Sequence, residues 1–133
     1  LGIRDLAKAI EAQGVEVRAV TTFSDLSGLA KQASRTSGFL VSLDDDDFSE
    51  TGEENEAIHD LREFVREVRR SNPDVPIFLY GETKTATSIP NDVLRELHGF
   101  IHMFEDTPEF VARYIVREAR EYLASLPPPF LRH

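Results

Sequence analysis

Ten carboxylates stand within twenty positions of this sequence: Asp44 to Asp47, Glu50, Glu53, Glu54, Glu56, Asp60 and Glu63. Carboxylates at that density could hold a calcium or magnesium ion through oxygen ligands, or one aspartate could accept a phosphoryl group. The calcium loop fails on spacing. Gly52 is the nearby glycine, which makes Asp47 the first position and puts Ile58 where a bidentate glutamate is required. His98 and His102 are four apart, the spacing of a metal pair on one helical turn, but Gly99 followed by a strand-forming run breaks the helix that would align them. Gly81-Glu82-Thr83-Lys84-Thr85 lacks the glycine spacing and the Lys-Ser/Thr ending of a phosphate loop. The sequence holds no GxSxG, no His-Glu-x-x-His and no GxGxxG, and the absence of cysteine removes disulfides, thiolate metal sites and a thiol nucleophile. No catalytic, cofactor-binding or metal-ligating residue is therefore assigned, and the acidic run is read as a solvated loop and helix start.

The elements that would position these groups alternate. Ile3, Leu6, Ala7 and Ile10 follow helical spacing, and Gly14 supplies the left-handed stop. Residues 15–20, VEVRAV, read as a strand. Ser24 can cap a following helix with Leu26, Leu29, Ala30 and Ala33 on its apolar stripe. The runs GFLVSL at 38–43 and VPIFLY at 75–80 are apolar on both faces, the mark of strands covered by helices on either side. Between them Ala57, Ile58, Leu61, Phe64, Val65 and Val68 form an amphipathic helix, with Arg69 and Arg70 at its carboxyl end to match the dipole. A short helix over 90–97, a last strand FIHMF at 100–104 and a final helix from Thr107 through Leu123 complete the order. Strands alternating with helices predict a three-layer α/β sandwich with a parallel sheet. The chain opens on a helix, so a first, central strand is expected upstream of Leu1, and without it the middle of the sheet would be unpaired.

At 133 residues, 41% hydrophobic and 29% charged, the composition is that of one folded domain. A formal charge of −9 argues against nucleic acid, whose phosphates require clustered cations. No apolar run is long enough to span a membrane. An aspartate at the end of the third strand of such a sheet, Asp44 or Asp45, resembles the phosphoacceptor of a response-regulator receiver. Glu105 and Asp106 stand where that family needs a lysine. A stand-alone degenerate receiver used in signalling is thus the alternative reading, with receiver architecture and without receiver chemistry.

Three stretches carry a closer likeness: GIRDLAKAIEAQGVEV at the start, ETKTATSIPNDVLRELHGFIHMFEDTPEFVA, and the exit YLASLPPPF. In this order they resemble the amino-terminal wing domain of the bacterial ornithine/lysine/arginine decarboxylases that use pyridoxal phosphate, and HGFIHMFEDTPEF with the following helix resembles the arginine branch. The resemblance implies a flavodoxin/CheY-like fold, a cytoplasmic location and a non-catalytic role in which the wing packs against neighbouring subunits of a homo-oligomer, dimer or larger. It implies that pyridoxal phosphate belongs to the parent enzyme and to a later domain, with no cofactor in this one. Residues 1–126 would be the wing, and 127–133 the start of a linker, stiffened by Pro127 to Pro129 and continued by Phe130 and Leu131. The run DDDDFSETGEENEA is longer and more acidic than its counterpart in that family.

Overall fold

The computed structural model describes residues 3–20, 36–43, 56–82, 87–102 and 107–126. Helix α1 (Ile3–Glu11) leads into strand β1 (Val17–Val20), and strand β2 (Gly38–Ser42) precedes helix α2 (Glu56–Ser71). Strand β3 (Ile77–Gly81), the one-turn helix α3 (Asn91–Leu94), strand β4 (Gly99–His102) and helix α4 (Pro108–Ser125) follow. The expected helix capped by Ser24 lies outside the described residues.

All strand pairs are parallel and the sheet order is β1-β2-β3-β4. This corrects the expectation of an unpaired centre. Val17 pairs with Gly38 and Val20 with Val41, so β1 lies directly against β2, and Ser37 N–H donates to Glu16 O at 2.7 Å to extend the ladder by one bond. Backbone donors and acceptors buried in a sheet must find partners, and here neighbouring strands provide them. A thin residue is required at the join: a Cβ on Gly38 would stand 3.3 Å from Pro76 O.

Sequential order has a consequence for the layers. Parallel crossovers of one hand, all advancing in the same direction, place their helices on one face. Accordingly α2 and the segment bearing Ile89 and Val93 pack on Val20, Phe39, Val41, Ile77 and Leu79. Alternate residues Val17, Leu40, Phe78, Tyr80 and Ile101 point to the other face, where α1 and α4 cover them with Leu6, Ile10, Val111, Ile115, Val116 and Ala119. Every residue of β3 is buried, as its apolar run predicts. Gly14 has φ +86°, the left-handed conformation that ends α1. Thr107 accepts the Phe110 N–H at 3.3 Å and caps α4, with Pro108 in its first turn. No helix among the described residues is long and apolar enough to cross a membrane.

Candidate functional site

In an open α/β sheet ligands collect beyond the carboxyl ends of strands, at the point where strand order reverses. The described strands contain no reversal. Asp44 to Asp47, Thr83 to Thr85, Glu105 and Asp106, on which the phosphoacceptor and phosphate-loop comparisons rest, fall outside the described residues. His98 and His102 bracket β4, one at each end of the strand, which separates them by roughly 13 Å at about 3.3 Å per residue. They are not a metal pair. His98 meets the Phe78 ring at a tilt of 58° and His102 meets Phe100 at 46°. Among the described residues, no three acidic or imidazole side chains group as metal ligands.

Two surfaces do assemble polar side chains. The first joins the end of α2 to the start of β3 and the end of α3. Arg69, with a side chain only 14% exposed, donates through Nη1 to Val75 O at 2.7 Å and to Asn72 O at 3.3 Å, and through Nη2 to Glu96 O. Its Nε lies 3.3 Å from the Glu96 carboxylate. Burial lowers the Arg69 pKa, and the Glu96 carboxylate opposes that shift. The sequence assigned Arg69 to the helix dipole; its larger role is as a donor fan that ties three segments together. Two helical turns earlier on α2, Arg62 grips Asp92 with both Nε (2.8 Å) and Nη2 (3.3 Å), and this hydrogen bonding holds the Asp92 carboxyl below the usual range. Arg66 and Arg70 reach back to Glu63 and Glu67 on their own helix. The charges of this groove are therefore largely consumed in holding α2, β3 and α3 in register.

The second surface is the outer face of α4. Phe110, Arg113, Tyr114, Arg117, Arg120 and Ala124 recur at helical spacing and, with Gln13 after α1, line an open groove of about 660 Å³. Tyr114 donates its hydroxyl to His98 O at 3.3 Å and meets Phe78 edge-on, while the Arg117 guanidinium lies 5.7 Å above the Tyr114 ring. Arg120 donates to Gln13 O at 2.9 Å. Phe110 is 63% exposed at one end of the groove. This face escaped the reading of the sequence, although an arginine stripe opposite the buried Val111, Ile115 and Ala119 stripe is visible in it.

Neither surface holds a nucleophile set beside a base, and the described residues include a single lysine, Lys8, exposed on α1. The pattern of the family described as Orn/Lys/Arg decarboxylase, N-terminal domain, matches residues 1–122. Lysine decarboxylase LdcA of Pseudomonas aeruginosa is 32% identical over 133 residues, which are 98% of this chain and 17% of that protein. Biodegradative arginine decarboxylase of Escherichia coli is 28% identical over 128 residues, 96% of this chain and 16% of that protein. The solved structure of lysine decarboxylase A from Pseudomonas aeruginosa superimposes with a TM-score of 0.72 across 96% of this chain and 17% of that one. The chain thus spans about one sixth of the relatives it matches. With the fold, the order of the elements and the sequence all in agreement, the chain belongs to the family of Orn/Lys/Arg decarboxylase N-terminal domains.

Proposed function

We propose that this chain is the non-catalytic wing of a pyridoxal-phosphate-dependent decarboxylase of basic amino acids, working in the cytoplasm by helping subunits associate. Arginine is the substrate indicated by HGFIHMFEDTPEF, with lysine and ornithine as the related candidates. Residues 1–126 form the wing and 127–133 begin the linker to the cofactor domain. The observation that carries this reading is the alignment of nearly the whole chain with only one sixth of a lysine decarboxylase, which assigns most of such an enzyme to other polypeptide. Among the described residues Lys8 is the one lysine, and it is exposed on a helix surface, whereas pyridoxal phosphate needs a lysine amine in a closed pocket.

The test uses the full-length protein that carries this chain. Carbon dioxide release from arginine, lysine and ornithine is measured with added pyridoxal phosphate, beside a form lacking residues 1–126. The expected result is decarboxylation of a basic amino acid by the full-length protein, and a shortened form that retains the cofactor's visible absorbance but sediments as a smaller assembly. Cofactor retained by residues 1–133 alone, or unchanged assembly after the deletion, overturns the proposal.

A further inference from the structure

The outer face of α4 is arranged symmetrically about Arg117. The chain carries 24 acidic and 15 basic residues, yet the groove along this helix is lined by three arginines, Arg113, Arg117 and Arg120, and by one glutamate, Glu121. Arg113 stands four positions before Arg117 and Glu121 four positions after it. Phe110, 63% exposed, stands seven before it, and the small Ala124 seven after. Spacings of four and seven keep all of these side chains on the helical face of Arg117. Arg117 also lies at the middle of α4 (Pro108–Ser125).

Such a pattern complements itself on reversal. When two copies of α4 lie antiparallel about a two-fold axis at Arg117, Arg113 of each stands level with Glu121 of the other, and Phe110 with Ala124. A cation meets an anion, a bulky ring meets a small residue, and symmetry makes each contact twice. The helices then overlap along their whole length, about 27 Å at 1.5 Å per residue. Tyr114 and Arg120 flank the seam and are already fixed, by hydrogen bonds to His98 O and Gln13 O. The one conflict is Arg117 with its own copy. Its guanidinium lies 5.7 Å from the Tyr114 ring, one turn toward the amino end, and 3.6 Å from Glu118. Amino ends point opposite ways in an antiparallel pair, so the two cations diverge, each beside a carboxylate of its own chain.

We infer that α4 docks antiparallel on α4 of a second copy of this chain, with Arg113 paired to Glu121 across the axis and Phe110 set over Ala124. This rests on the reading that the chain helps subunits associate, and it names the surface and the register. A seam of one helix face, about 27 Å by about 10 Å, is smaller than the roughly 1,200 Å² that a stable complex buries. The contact therefore acts within the assembled parent, where other contacts between subunits raise its effective concentration.

Charge exchange in the full-length protein tests the inference. Arg113→Glu makes both cross-axis pairs acidic and Glu121→Arg makes both basic, so sedimentation velocity at low salt is expected to show self-association weakened about tenfold in each. Mixing the two variants restores both pairs and should restore assembly, as should the double exchange Arg113→Glu with Glu121→Arg in one chain. Register is read separately by oxidative cross-linking, with the linked peptides identified by mass spectrometry. Arg117→Cys, on the axis, should link to its own copy, whereas Phe110→Cys, about 21 Å from its counterpart, should not. Circular dichroism checks that these exposed substitutions leave the fold intact. Single variants that assemble as wild type does, a mixture no stronger than its components, or no link at Arg117→Cys overturns the inference. So does a charge variant that loses affinity for some other protein while self-association is unchanged. Deletion of residues 1–126 reports separately on the wing reading: assembly that fails on deletion but survives charge reversal leaves that reading standing and removes this one.

Discussion

Replacing Arg69 by methionine keeps a long apolar stem and removes every donor. Three backbone oxygens lose a partner, those of Asn72, Val75 and Glu96. Two of them belong to half-buried or exposed residues that water can reach, but Val75 is fully buried and its oxygen is left without the 2.7 Å bond. An orphaned buried acceptor costs about 1–3 kcal/mol, and the remaining charge-assisted bonds add to it. Against this, methionine avoids the desolvation of a guanidinium, the same burial that lowers the Arg69 pKa. The expected net loss for Arg69→Met is about 2 kcal/mol. Glu96→Gln removes only the ion pair to a carboxylate that is 50% exposed, and it should cost less than about 1 kcal/mol. Arg69→Lys, with a compact ammonium in place of the planar fork, should lie between them. Urea denaturation gives the three values, and repeating it in 0.5 M salt should erase the Glu96→Gln effect while leaving that of Arg69→Met, since buried hydrogen bonds are weakly screened. The reasoning fails if Arg69→Met is within about 0.5 kcal/mol of wild type, or if Glu96→Gln costs as much; either result would make the fan a surface ion pair.

Other expectations follow from the same packing. Phe64, fully buried and edge-on to Phe39 at 5.5 Å, should cost about 3–5 kcal/mol on truncation to alanine, read from the unfolding midpoint. Burial and the neighbouring Arg69 lower the His98 pKa, with Glu118 and Asp74 opposing. The folded state therefore takes up this proton less readily than the unfolded chain, so stability is intact above the ordinary histidine value of about 6.5 and declines as pH falls from there toward the folded value. His98→Gln should flatten that part of the pH–stability curve, and an imidazole titrating at or above about 6.5 in the folded protein would contradict the assignment. A Cβ at Gly99 would stand 3.2 Å from the Tyr114 hydroxyl. Gly99→Ala should cost about 1 kcal/mol alone and measurably less in a Tyr114→Phe background, a coupling that a double-mutant cycle detects.

The elements most legible in the sequence are those whose local signal coincides with their tertiary environment. β2 and β3 are apolar on both faces because helices cover both, and the stripe of α2 repeats at three and four because one side meets the sheet. The stop after Ser71 was equally readable: Asn72 accepts the Asp74 N–H in a local turn. Boundaries were less so. Residues 15 and 16 read as strand with 17–20 but lie ahead of the paired register, which starts at Val17 and Gly38, and Glu16 joins it through the single backbone bond from Ser37 N–H. The strand order could not be read at all, since apolar runs state that a strand is buried and not which strand lies beside it. Likewise the Arg69 fan draws on positions 69, 72, 75 and 96, and the groove joins Gln13 to Arg120, so both depend on approaches that no local pattern encodes. The candidate chemistry was read from spacing alone, and of its histidines His98 precedes β4 while His102 ends it.

The packing of α1 against α4 sets a schedule for synthesis. Leu6 and Ile10 are sealed in part by Val111, Ala112 and Ile115, residues made about a hundred positions later. At roughly 5–20 residues per second, α1 keeps an oily stripe in water for some 5 to 20 seconds before its lid is translated. During that interval the nascent polypeptide is a natural client for holding chaperones, and slow codons ahead of α4 would lengthen its exposure.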